Sequence, residues 1–226
     1  MEYPGQPEER QQRVVAEAGD GADAVVSHSK NHQTVGVRDR VTRLAQITAG
    51  RGLTVGARGH QTQRPLTPPG QSWESFSAPW HVDVRIAFEV GRAALARPLR
   101  PGSTVVILSS GAALGGSPLS GGYAGAKRTQ MFLAGCLQRA ADARGLGIRF
   151  VALVPGQLLT GTAIGEAAAA AYGAERGRPA DTVLKEQFPV PLDPAGVARA
   201  ILAIVSDEDH DKDTALVVTG KGVERA

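Results

Sequence analysis

The 226-residue sequence holds a single cysteine, Cys136. No internal disulfide can form, and a metal site built from several cysteines is excluded. Cys136 sits in an apolar helical stretch and reads as a small core residue. Aromatic residues make up only 4% of the chain, against 28 glycines. That balance favours closely packed helices and sheet over an aromatic-rich sandwich. Positive charge is not concentrated either: the net charge of +3 is spread without a Lys/Arg run. This argues against a nucleic-acid partner, which needs basic residues gathered on one face. No apolar run approaches membrane-spanning length, and the opening "MEYPGQPEER" is too polar for a secretory leader. A cytoplasmic protein with no membrane partner is expected. No internal repeat is visible.

What is present is an alternation. With 42% hydrophobic and 21% charged residues, one globular domain over 1–226 is expected, with 1–8 as a flexible arm. "ERQQRVVAEAG" (9–19) has helical composition, and "ADAVVS" (22–27) reads as a short strand. "VRDRVTRLAQITAG" (37–50) places Val41, Leu44, Ala45 and Thr48 on one helical face. "GLTVGA" (52–57) is a weak strand, and 61–80 is a Pro- and Ser-rich loop with room for a short helix. Residues 81–99 predict an amphipathic helix stopped by Pro98 and Pro101. "STVVILSS" (103–110) and "IRFVALVPG" (148–156) read as strands buried on both faces, separated by a second long helix over 123–144. A small-residue segment follows, and 161–190 is expected to form a mobile substrate-loop region. Asp193 and Pro194 open a helix over 193–207 as N-cap and first residue. "TALVVTG" (214–220) is a last strand. Buried strands alternating with helices mean an α/β fold, a doubly wound parallel sheet.

In such a sheet, ligands bind at the carboxyl ends of the strands. Strand 103–108 ends in Ser109 and Ser110, and strand 148–154 ends in Pro155 and Gly156, with Thr160 shortly after. Between them in sequence lies "SGGYAGAKRTQ" (120–130). Its Tyr123 and Lys127, four apart, share one helical face, where the ammonium favours the ionised phenol. A phenol starts near a pKa of ~10 and needs such a neighbour to exchange protons near neutrality. Ser110 is placed to donate a hydrogen bond to a carbonyl oxygen that acquires charge.

This constellation resembles the short-chain dehydrogenase/reductase family. "VVILSSGAALGGSPLSGGYAGAK" looks like the family's active-site segment, with Ser110 thirteen residues before Tyr123, the family's spacing. The resemblance implies a Rossmann-like sheet and an oxidoreductase acting on a carbonyl or secondary alcohol with NAD or NADP. Tyr123 would be the acid/base, Lys127 would lower its pKa and hold the nicotinamide ribose, and Ser110 would orient the substrate carbonyl. "VPGQLLT" (154–160) looks like the segment capping the nicotinamide, which assigns Pro155, Gly156 and Thr160 to cofactor binding. "LTVGARG" (53–59) occupies the place of the family's Asn-Asn-Ala-Gly strand end and keeps Gly59. In the family, helices such as 81–97 and 123–144 also build a subunit interface. A homo-oligomer is therefore expected, with Gly91, Ala94, Ala124 and Gly125 read as outward small residues.

Two departures qualify the resemblance. Asp83 stands where the family carries an Asn that completes a proton relay. A carboxylate accepts hydrogen bonds but donates none unless protonated, so Asp83 would pair with Arg85 or Lys127. The family's opening strand and Gly-rich turn, which hold the pyrophosphate at a helix N-terminus, have no counterpart before residue 9. Weak cofactor binding is expected on that account. Strand 22–27 should move inward to pair beside 52–57, unless a second subunit supplies a strand. A protein of this family's type without redox activity is the alternative: a binding scaffold, or a redox-neutral isomerase or dehydratase. His28 and His32 lack a third metal partner, and "DEDHDKD" (207–213) lacks the glycine and terminal Glu of a calcium loop.

Overall fold

The chain is described here by a computed structural model covering Val15–Ala16, Ala24–Ser27, Gly52–Val55, 71–206 and 213–226. Period-2 alternation of apolar side chains shapes its centre. β4 (Thr104–Leu108) and β5 (Arg149–Pro155) pair in parallel, and β6 (Ala215–Thr219) lies parallel beside β5. Successive residues of these strands point to opposite faces. Val105, Ile107, Phe150 and Ala152 therefore enter one core, with Val90, Ala94 and Ala134. Val106, Val151, Leu153, Leu216 and Val218 enter the other, with Val197, Ile201 and Ile204. Both faces are covered, which is why the strands read as unbroken apolar runs.

The sheet has seven strands among the described residues. Its order is β1 (Val15–Ala16), β2 (Ala24–Ser27), β3 (Gly52–Val55), β4, β5, β6 and β7 (Gly222–Arg225). β2 and β3 extend the parallel set, and the outermost strands β1 and β7 run antiparallel to their neighbours. The inward pairing expected of 22–27 is met, with Val26 opposite Thr54 and Ser27 opposite Val55. The helical reading of 9–19 is corrected at Val15 and Ala16, which pair with β2. The sequence reading also missed β7. It folds back on β6 through a tight hairpin in which Thr219 faces Gly222.

Helices cover the sheet. α1 (Trp73–Pro79), a π-helical turn (Trp80–Val84) and α2 (Arg85–Ala96) follow one another without a break. The helix thus begins eight residues before the expected start at His81, capped by Ser72, whose side chain accepts from the Ser75 amide. α3 (Gly121–Asp142) covers the same face as α2. The region 161–190, expected as a substrate loop, carries two helices, α4 (Ala163–Arg176) and α5 (Ala180–Gln187). α6 (Pro194–Ser206) opens as expected, with Asp193 Oδ1 accepting from the Gly196 amide at 2.6 Å.

The small residues read as outward-facing serve packing within the chain instead. A Cβ on Gly91 would run into the Leu137 side chain, and one on Gly125 would sit 2.5 Å from the Trp80 ring. Ala94 is buried, and Ala124 packs beside Gly116. The exposed apolar side chains of α2 and α3 are Phe88 and Phe132, 50% and 65% exposed. Cys136 is half-buried and accepts from Arg139, so it is not a core residue. The helix expected over 37–50, the arm 1–8, His28, His32, Gly59 and 207–212 lie outside the described residues. No described helix is long and apolar enough to cross a membrane, and no described cluster of His, Cys, Asp and Glu could hold a metal ion.

Candidate active site

α3 starts where the chain leaves a loop of small residues, and its first two turns are held from three sides. Gly121 and Gly122 lie buried at its start. A Cβ on Gly122 would overlap the Phe76 carbonyl oxygen, so the absence of a side chain lets α1 seat against α3. Phe76 and Trp80 stack with ring centroids 5.6 Å apart and form the wall on that side. From the sheet, Ser109 Oγ donates to the Lys127 carbonyl at 2.9 Å, tying α3 to the carboxyl end of β4.

Residues 123, 127 and 130 follow helical spacing and form one buried stripe. Tyr123 is 7% exposed and Lys127 only 3%. The Lys127 ammonium stands 5.5 Å from the centre of the Tyr123 ring, within cation–π range. Its Nζ donates to the Leu108 carbonyl at 3.2 Å, on the last residue of β4. It also lies 3.2 Å from Asp83 Oδ2. Asp83 is fully buried. Of the two partners the sequence allowed, Lys127 is the one observed, and Arg85 is exposed.

Burial pushes the Asp83 carboxyl above its ordinary value, and the Lys127 charge and hydrogen bonding act in the opposite direction. The 3.2 Å approach is close enough for an ion pair, but it is poorly aligned as a hydrogen bond. Neither Asp83 oxygen receives a well-aligned donor from the protein. The π-helical turn sets this position. Its wide ladder, in which the Arg85 amide reaches the Trp80 carbonyl, follows Pro79, which has no amide to give. Gln130 secures the turn by donating to the Asp83 carbonyl at 2.9 Å. Sequence reasoning passed over Gln130. The signal was its place three residues after Lys127, on the same helical face.

Ser110 directly follows Leu108 and Ser109, the two residues that bind Lys127. It caps a short 3₁₀ turn (Gly111–Ala113), where its Oγ accepts from the Ala112 amide at 3.3 Å. A hydroxyl that accepts there keeps its own hydrogen to donate elsewhere. The same turn packs on the end of β5. A Cβ on Gly111 would lie 3.0 Å from the Pro155 carbonyl oxygen and 3.2 Å from Gly156. The two strand ends named in the sequence therefore meet. Thr160 lines a cavity of about 310 Å³ together with Leu158, Asp181, Leu184, Lys185 and Phe188. Asp83, Tyr123, Lys127, Pro155 and Gly156 are not among its walls. Tyr172 of α4 donates to Ser117 Oγ at 2.6 Å, pinning the loop that leads into Tyr123.

A scan of protein-family models gives no match, and no curated protein matches the sequence. Solved structures do match. Sorbitol-6-phosphate 2-dehydrogenase SrlD from Erwinia amylovora superposes with a TM-score of 0.66 at 20% identity, over 83% of this chain and 75% of that one. A short chain dehydrogenase family protein from Francisella tularensis gives 0.63 at 16% identity, over 80% and 74%. NAD+-bound xylitol dehydrogenase gives 0.65 at 17% identity, over 81% and 74%. The fold is that of the short-chain dehydrogenases/reductases, a Rossmann-type α/β sheet.

Proposed function

We propose that this chain is a nicotinamide-dependent oxidoreductase of the short-chain dehydrogenase type, with Tyr123 as the acid/base. It would interconvert a carbonyl and a secondary alcohol. The observation that carries the reading is the buried contact of Tyr123 and Lys127 one helical turn apart, anchored on the end of β4 directly before Ser110. The residues around the strand ends suit the nicotinamide end of the cofactor. Pro155 and Gly156 give a wall free of bulky side chains, Thr160 offers a hydroxyl, and Lys127 brings an ammonium to the ribose side.

A bound reduced nicotinamide supplies the hydride, and the proton chemistry falls to the protein. Ser110 donates a hydrogen bond to the substrate oxygen and fixes its position. As the C–H bond forms and the C=O π bond breaks, the oxygen gains charge and takes the phenolic proton of Tyr123. The phenolate left behind faces the Lys127 ammonium. In the oxidative direction the phenolate accepts the alcohol proton.

Titrating NADH and NADPH into the purified chain, with turnover assayed on a panel of ketones and aldehydes, tests this reading. Saturable binding of either cofactor with reductive turnover is expected. Failure of both to bind would overturn it in favour of a redox-neutral enzyme or a binding scaffold. We further propose a homo-oligomer through α2 and α3, supported by the exposure of Phe88 and Phe132.

A further inference from the structure

A lysine that acts on a phenol by its charge must present that charge unopposed. Here it is opposed. The Lys127 ammonium and an Asp83 oxygen lie 3.2 Å apart, and both side chains are almost wholly removed from water. Screening by solvent is therefore weak, and the two charges act on each other more strongly than an exposed pair would. The pair is also held in place. The Leu108 carbonyl fixes Nζ, and Gln130 fixes the backbone of Asp83 within its π-helical turn.

Among the described residues, the elements packed around Asp83 supply no second cation. On Asp83's own segment, His81 and Arg85 are exposed. From α3 the neighbours are Tyr123, Lys127 and the neutral Gln130, while Arg128 is exposed and reaches the Ala113 carbonyl instead. From the end of β4 come Ser109 and a carbonyl. Among these groups, Lys127 is the one charge that acts on Asp83.

We infer that Asp83 is a positioning residue that cancels the Lys127 charge, so that Lys127 orients Tyr123 without placing net positive charge beside it. Tyr123 then keeps its proton to higher pH than it would beside a lone ammonium. Reduction, which needs the protonated phenol, persists into alkaline solution, and alcohol oxidation requires more alkaline conditions. The inference rests on Tyr123 as acid/base, but its test reads ionisation directly and needs neither cofactor nor substrate.

The test is ultraviolet titration of Tyr123 in the full chain. The chain has three tyrosines, and subtraction of a Tyr123→Phe titration isolates the one of interest. Asp83→Asn should lower the Tyr123 midpoint by at least about one pH unit, a lone charge at this range being worth that much. The double variant Asp83→Leu/Lys127→Met, also without net charge, should match wild type within about half a unit. If wild-type Tyr123 stays protonated until the fold is lost while Asp83→Asn ionises earlier, the inference also stands. Equal midpoints in wild type and Asp83→Asn, or no ionisation in either, overturn it. So does a double variant that ionises well above wild type, which would mean that Lys127 acts uncancelled. Should Asp83→Asn fail to fold, the wild-type and double-variant comparison decides alone. A merely structural Asp83 would change stability and leave these midpoints together.

Discussion

Asp83 is a carboxyl group taken out of water, and its pKa is raised chiefly by that burial. An acid raised on folding contributes stability that is fully present below its unfolded pKa and lost as pH rises through its folded value. Wild type should therefore lose stability relative to Asp83→Asn as pH climbs from the ordinary Asp value, ~3.9, into the raised range. Urea unfolding across that window reads the difference, and parallel curves would contradict the assignment. Removing Lys127 alone, as Lys127→Met, strands a buried carboxyl and should cost about 3–5 kcal/mol. Asp83→Leu/Lys127→Met should cost far less, because the charges leave together. At this scale the sequence was informative for Tyr123, Lys127 and Ser110, whose spacing shares a helical face or a strand end. It left the partner of Asp83 open between Arg85 and Lys127. Which side chain the π-helical turn carries inward follows from its wider ladder, and no local pattern in the sequence encodes that.

Between elements, the junction of α1 with α3 rests on two glycines that see different neighbours. A methyl group on Gly122 would meet the Phe76 backbone carbonyl, which cannot move unless the whole of α1 moves. A methyl on Gly125 would meet the rim of Trp80, a side chain able to yield. Gly122→Ala should destabilise by about 2–3 kcal/mol, the range of a core forced to accept an extra group, and Gly125→Ala by less. Thermal melts of the two variants check the order, and a reversed order would contradict this packing. β4, β5 and α6 could be read from sequence because unbroken apolar runs and the Asp193–Pro194 cap are local signals. α1 was legible only as room for a short helix within 61–80, because its Ser- and Pro-containing sequence is a poor helix by propensity, and packing on α3 stabilises it. β7 escaped because it is a short, exposed edge that exists by pairing with β6.

At the scale of the whole molecule, the exposed faces of α2 and α3 bear on assembly. Phe88 and Phe132 stand out of the two helices expected to form an interface, while the small residues first assigned that role lie inside the chain. Light scattering should give a dimer or larger species at micromolar concentration, and Phe132→Glu should shift it toward monomer. A monomeric wild type would remove the interface. The central claim, that Tyr123 moves the proton, is tested most directly by the rate of NADH or NADPH consumption with a carbonyl substrate in wild type and Tyr123→Phe. Circular dichroism serves alongside to show that the fold is kept. A fall of at least ~100-fold with an unchanged fold is the predicted result, the usual effect of losing a positioned acid. A Tyr123→Phe chain that consumes the cofactor at nearly the wild-type rate would contradict it.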